Sequence, residues 1–226
     1  MTDIDFEAER KRLVNYLIKT GVLKSENVIK AMLKVPREEF VPKHLRNQAY
    51  EDTPLPTSHG QTISAPHMVA MMCEFLELRV GDKVLEIGAG SGYHAAVIAE
   101  IVAPEGTKNP GHVYTIELIK ELADFARKNL EKTSYKNRVT VIHGDGTLGL
   151  PEHAPFDRII VTAAAPSIPK PLIEQLADGG ILIIPVGEPH FSQVLKRVMK
   201  VKDTLKFDDL CDVVFVPLRG KYGWLG

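Results

Sequence analysis

Residues 84–96 read VLEIGAGSGYHAA: an apolar run, glycines at 88, 90 and 92, then small and apolar residues that suit a helix. Glycine turns tightly and lets the backbone approach a ligand closely, so the pattern is a strand that breaks at its carboxyl end and leaves as a helix. A dinucleotide-binding turn would run G-x-G-x-x-G; here the spacing is G-x-G-x-G, with Glu86 inside the strand two residues earlier. Outward from this stretch the pattern repeats. KVLEI, HVYTIE, VTVIHGD, RIIVTAA and GILIIPVG are short Val- and Ile-rich runs, most of them separated by helical segments. Near-continuous apolar strands of this kind suit a parallel sheet covered on both faces, and the alternation predicts a doubly wound α/β fold. The tail differs, because QVLKRVMKV, TLKFDDL and DVVFVPL alternate like antiparallel strands.

Upstream, ERKRLVNYLIKTG places Leu13, Tyr16 and Leu17 on one helical face and ends at Gly21, a good left-handed cap. SENVIKAMLKVPREEF starts a second helix, with Ser25 as candidate N-cap and Pro36 as terminator. The Pro-rich FVPKHLRNQAYEDTPLPTSHG that follows has no clear period, and so long an irregular segment usually carries function. A third helix over about 66–78 turns Met68, Met72, Phe75 and Leu76 inward. Neither a linker nor a repeat interrupts the 226 residues. The expected organisation is one domain over 1–226: a helical substrate and lid region over 1–80, a cofactor-binding α/β core over 81–190, and C-terminal strands over 191–226.

The length allows one sizeable core. A formal net charge of −1 gives no support for general nucleic-acid affinity. Cys73 and Cys211 form neither a metal pair nor a disulfide framework and suit small core residues. The opening MTDIDFEAER is acidic and polar, unlike a secretory leader. No apolar run reaches the roughly 20 residues that span a bilayer. A cytoplasmic protein with no membrane and no nucleic-acid partner is therefore expected.

The acid-glycine spacing E-x-G-x-G-x-G resembles the first motif of S-adenosylmethionine-dependent methyltransferases, whose Rossmann-like fold the strand and helix order also suits. Glu86, Gly88, Gly90, Ser91 and Gly92 are then cofactor-loop candidates. HVYTIE ends in Glu117, 25 residues past Gly92, where a carboxylate can accept from both ribose hydroxyls. A surface glutamate at a helix start is the plainer alternative. VTVIHGDG ends in Asp145 and Gly146, and Asp145 can accept from an adenine amine or merely make a turn. VTAAAPSIP lacks the Asn/Asp-Pro-Pro-aromatic clamp that base-modifying methyltransferases resemble one another in. It is also without an obvious acidic cluster for magnesium, so no metal is expected.

GQTISAPHMVAMM, VLEIGAGSGY, VTVIHGDGTLG, PFDRIIVTAAAP and LADGGILIIPVG together resemble the protein-L-isoaspartate (D-aspartate) O-methyltransferase family over nearly the whole chain. The TISAPH and TAAAP segments are more specific than the shared cofactor loop. The resemblance implies a protein repair methyltransferase, a monomer, that methylates the free carboxylate of isoaspartyl residues in damaged peptides and proteins and yields S-adenosylhomocysteine. It assigns Ser64 as the active-site residue and supports peptide contact at Val214. Gln61, Thr62 and the backbone at Ile63 are expected to contact the ligands, and Gln61 with the irregular segment before it to close as a lid. His67 is either a substrate contact or a helix-start residue with its ring in solvent. Arg219 and His94 receive no firm role.

An isoaspartyl carboxylate, with an ordinary pKa near 4, is already ionised at neutral pH and needs no general base. Held geometry can supply roughly 7 to 11 kcal/mol in favourable cases. One orienting hydroxyl donor at Ser64 therefore suits the acceptor better than a competing nucleophile, although Ser64 can equally N-cap the helix that Pro66 begins. Two alternatives stay open: a methyltransferase of this fold acting on a small molecule or RNA, and a non-catalytic cofactor-binding scaffold.

Overall fold

Apolar runs such as Val84–Ile87 demand cover on both sides, and the fold supplies it. The computed structural model describes residues 4–189 and 191–225; residues 1–3, His190 and Gly226, and with them the exact ends of the expected segments, lie outside the described residues. The elements run α1 (Phe6–Lys19), α2 (Glu26–Lys34), β1 (Leu55–Pro56), β2 (Thr62–Ile63), α3 (Pro66–Leu76), β3 (Lys83–Ile87), α4 (Tyr93–Val102), β4 (His112–Glu117), α5 (Lys120–Lys132), β5 (Val139–His143), β6 (Phe156–Val161), α6 (Lys170–Glu174), β7 (Leu176–Val186), β8 (Gln193–Val201) and β9 (Thr204–Val213). Apart from the short β1–β2 hairpin, the strands form one seven-stranded sheet in the order β5-β4-β3-β6-β7-β8-β9. The first five are parallel, and β8 and β9 are added antiparallel beyond β7.

Successive strand residues face opposite sides of the sheet. Val84 joins Leu17, Met32, Met72 and Ile98 in a core on one face, so α1 to α4 share that core with the sheet. Leu85 and Ile87 join Ile116, Phe156 and Leu182 on the other. Helix α4, buried along all ten residues, lies sandwiched where the helical N-terminal layer meets the sheet. The chain leaves β3 toward β4 on one side and returns to β6 on the other. That reversal opens a crevice at the carboxyl ends of β3 and β6, where open α/β sheets bind their ligands.

Three local expectations are corrected. Tyr16 is 54% exposed, and Val14 takes its place beside Leu13 and Leu17. Helix α3 buries Val69, Met72, Cys73 and Leu76, leaving Met68 and Phe75 half-buried at its flanks. DVVFVPL is no third strand: β9 ends at Val213, and the remainder runs irregularly, touching Ala164 through Pro217. It turns away because the backbone of Phe215 is bound by the buried Gln193 side chain, whose Oε1 accepts its N–H at 2.7 Å. Gly21 does end α1 in a left-handed conformation. Ser25 occupies the N-cap of α2, but its hydroxyl donates across to Glu74 on α3 instead of back to its own helix.

The irregular segment is less loose than its composition implies. Phe40, Val41, Ala49, Leu55 and Ile63 are buried side chains that tack it to the core. Residues 58–60 form an exposed turn, where His59 and Gly60 both hold positive φ.

Candidate active site

At the crevice lies a cavity of about 460 Å³. Its floor is the glycine turn. Gly88 has φ +99°, and a Cβ there would meet Thr162 Oγ1 at 2.4 Å, so no side chain fits between the β3 and β6 tips. Gly146 is equally confined, against the Ile87 side chain, and forms part of the cavity wall. Gly92 also has positive φ, yet its neighbours are Ala126 and Leu130 of α5; its small size serves helix packing and the start of α4. Ser91 faces the same way, buried, with its carbonyl accepting from the Asn129 amide at 3.0 Å.

Glu117 stands at the β4 tip, buried to 7% exposure and lining the cavity. Its Oε2 accepts the Gly90 N–H at 2.9 Å and its Oε1 accepts the Ile119 N–H at 3.0 Å. Each oxygen retains a second lone-pair direction for a ligand hydroxyl. The Gly90 amide is thereby committed to a carboxylate of the protein, which does not suit a turn built to cradle a pyrophosphate. Leu118, Ile119 and Leu122 supply an apolar wall beyond it.

Glu86 takes a different place. It is fully buried beneath the turn and does not line the cavity. Thr115 Oγ1 donates to its Oε2 at 2.5 Å, while Oε1 and the facing His94 Nδ1, 4.0 Å away, have no partner among the described residues. Burial, reinforced by the negative charge of Glu117 and opposed by the Thr115 hydrogen bond, pushes the Glu86 carboxyl up to about 8. Burial, then the charge of Arg37, lowers His94 to about 3. The folded chain therefore holds a proton on Glu86 that the unfolded chain, at the ordinary value of 4.5, releases. Stability linked to Glu86 falls as pH rises from 4.5 to 8, while that linked to His94 rises only up to its ordinary value of 6.5. Between pH 6.5 and 8 the Glu86 slope acts alone of the two. Glu86→Gln, neutral throughout, should gain melting temperature relative to the parent over that interval in calorimetry. A difference constant with pH would show that Glu86 is ionised in the folded chain.

Asp145 caps the short turn Gly146–Leu148: its Oδ1 accepts from both the N–H and hydroxyl of Thr147, and its Oδ2 accepts the Lys221 N–H at 2.8 Å. These bonds hold its carboxyl below the ordinary value in spite of partial burial. The tail thus folds back over the β5 tip, and Gly220 is needed there because a Cβ would lie 2.1 Å from Asp145 Oδ1. Val216, Pro217, Leu218 and Arg219 enter the cavity wall, and Trp224 Nε1 donates to the Ala164 carbonyl at 3.0 Å.

Gln61 and Thr62 reach the cavity, as does His59. Ile63 points into the core and does not line the cavity. Ser64 follows just outside the cavity wall, half-buried, and its hydroxyl has no hydrogen bond among the described residues. The N-cap of α3 is Ala65, so the alternative of Ser64 as helix cap is not realised. His67 is tied to Asp52, whose Oδ1 accepts its backbone N–H at 2.8 Å and lies 2.9 Å from its Nδ1. Val214 is 74% exposed, on the far side of Val213 from the sheet ladder.

The family model for protein-L-isoaspartate(D-aspartate) O-methyltransferase (PCMT) matches residues 8–223. The chain belongs to that family. PCMT relatives include the protein-L-isoaspartate O-methyltransferases of Hyperthermus butylicus, 60% identical over 97% of this chain and 92% of that one, and of Staphylothermus marinus, 57% identical over 97% of each. A solved PCMT structure from Plasmodium falciparum, in complex with S-adenosyl-L-homocysteine, superposes with a TM-score of 0.83 at 31% identity, covering 96% of this chain and 99% of that one. The PCMT fold places several site residues that local pattern does not mark. Thr162 donates to the Gly88 carbonyl at 2.9 Å, Asn129 pins Ser91, and Val216–Arg219 close the cavity from the tail. Position at a strand tip was a signal available for Thr162 only.

The residues fit S-adenosylmethionine. The cavity volume lies within the roughly 300–1,000 Å³ usual for small ligands, and its lining is mostly apolar with few convergent polar groups. Glycine-only approaches at 88 and 146 match a ligand pressed on the backbone, and Glu117 offers the paired acceptors a ribose requires.

Proposed function

We infer that this chain methylates the free carboxylate of L-isoaspartyl and D-aspartyl residues in damaged proteins and peptides, releasing S-adenosylhomocysteine. The observation that carries the reading is a match to one family over residues 8–223, together with the position of the TIS segment beside a cofactor-type cavity. When bound, S-adenosylmethionine supplies an electrophilic methyl on a positively charged sulfur. Glu117 would hold the ribose, with Gly88, Gly90 and Gly146 against the ligand and Gln61 and Thr62 on the acceptor side. Ser64 would donate to one carboxylate oxygen of the acceptor and leave the other free to attack. No proton has to be removed, because the acceptor is ionised at neutral pH. The exposed edge at Val214 would carry the peptide by main-chain contact, which suits an enzyme that must accept many sequence contexts.

Among the described residues no helix is long and apolar enough to cross a membrane. We further propose that the protein works as a cytoplasmic monomer built as one folding unit; the last part is supported by the core on one sheet face, which joins α1 to α4 with the sheet. A methyl-transfer assay with labelled cofactor decides the function. An isoaspartyl peptide should be methylated and its normal aspartyl counterpart left untouched. Equal labelling, transfer only to a small molecule or RNA, or binding without transfer would overturn the reading.

A further inference from the structure

Arg37 is wholly buried, yet no carboxylate lies within ion-pair distance of it among the described residues. A guanidinium removed from water without a contacting anion is costly; burial lowers its pKa, the Asp52 carboxylate opposes this only from beyond ion-pair distance, and the group stays charged. Its nitrogens are spent on the backbone instead. Nε donates to the Ala49 carbonyl at 2.8 Å and Nη2 to the Ser64 carbonyl at 2.9 Å, while Nη1 has no partner. The plane lies 4.9 Å from the ring centre of Tyr93, the first residue of α4 and the next after Gly92. One side chain therefore grips the acceptor segment through Ser64 and leans on the helix that leaves the cofactor turn.

We propose that Arg37 is the positioning residue for the acceptor: its planar fork sets Ser64 relative to the cofactor turn, and its charge, which no contacting carboxylate neutralises, favours an anionic acceptor. The proposal rests on the reading of Ser64 as the acceptor-orienting residue. The two properties separate by chemistry. A lysine keeps the charge but cannot span two carbonyls and stack on a ring, and glutamine loses charge and fork together. Displacement of Ser64 by even about an ångström can cost up to roughly 10²-fold in turnover. Loss of the charge weakens ground-state attraction for a carboxylate. It gives no compensating loss at the transition state, where donor and acceptor charges cancel, so its signature is in KM.

The test measures kcat and KM for an isoaspartyl peptide in Arg37→Lys and Arg37→Gln, with the concentration of competent sites fixed by S-adenosylhomocysteine titration. Turnover per site should fall about tenfold or more in both. KM should stay within about twofold in the lysine variant and rise several-fold in the glutamine variant. Full turnover per competent site, with only a lower melting temperature, would mean that Arg37 merely supports the fold and would overturn the proposal. If neither variant folds, the parent chain still reports. The Arg37 side-chain N–H resonances, in the S-adenosylhomocysteine complex, should shift on adding an isoaspartyl peptide and not on adding its aspartyl counterpart; an absent shift overturns the proposal. Ser64→Ala assayed in parallel separates the two readings. Full activity there would reject the role of Ser64, whereas a slow Ser64→Ala beside fully active Arg37 variants would reject only this inference.

Discussion

Replacing Glu117 with alanine should weaken S-adenosylhomocysteine binding by about 100-fold or more in calorimetry. The carboxylate offers the cavity two acceptor directions, and a hydrogen bond to a charged group contributes about 1.5–3 kcal/mol. Two such bonds to a ribose therefore account for at least two orders of magnitude. The same residue also holds the glycine turn from within, through Gly90 N–H, and the start of the next segment, through Ile119 N–H. Its loss removes ligand contacts and frees the turn that shapes the floor. Glu117→Gln, which keeps an acceptor oxygen and the volume, should lose less. A Kd changed by under about threefold in the alanine variant would show that the carboxylate serves only the protein's own backbone.

Ser64→Ala should slow methyl transfer by about 10- to 10³-fold, the loss of one well-aimed donor, with cofactor affinity unchanged. The structure sharpens this expectation. Because Ala65 is the N-cap of α3, removing the Ser64 hydroxyl should not fray the helix, so slower transfer cannot be ascribed to a lost cap. The Ser64 carbonyl stays held by Arg37 in the variant, so the backbone position is retained. Single-turnover rates and melting temperatures measured together are the check. Undiminished transfer to isoaspartyl peptide would remove Ser64 from the acceptor site.

Much of this architecture was readable from one sequence because hydrophobic periodicity is a local property. HVYTIE coincides with β4 and KVLEI with β3, which put Glu117 and the glycine turn at neighbouring strand tips. What local pattern could not carry was which side chains face the ligand. Glu86 and Glu117 look alike as acids near strand ends, but Glu86 lies one residue inside β3, where the alternation of the strand and the α4 helix above it seal it in. Gly88 and Gly92 look alike within one motif, yet they answer to β6 and to α5 respectively. Asp145 suits an adenine acceptor or a turn by pattern alone; its carboxylate takes three protein donors and caps the 146–148 turn, and Gly146 beside it lines the cavity. The tail that supplies one of those donors, the Lys221 N–H, returns from 76 residues away in sequence, a distance no spacing rule spans. Tyr16 lies at the margin of the apolar face of α1 and stays in solvent, while Val14 on the other flank is buried beside Leu13 and Leu17.

The return of the tail has a practical corollary. Trp224 is the chain's sole tryptophan, and its indole is anchored beside Ala164 while its backbone N–H binds Leu218, a residue of the cavity wall. The one tryptophan is thus tied directly to a residue of the pocket wall, so its emission, excited selectively over that of the six tyrosines, should serve as a label-free gauge of occupancy.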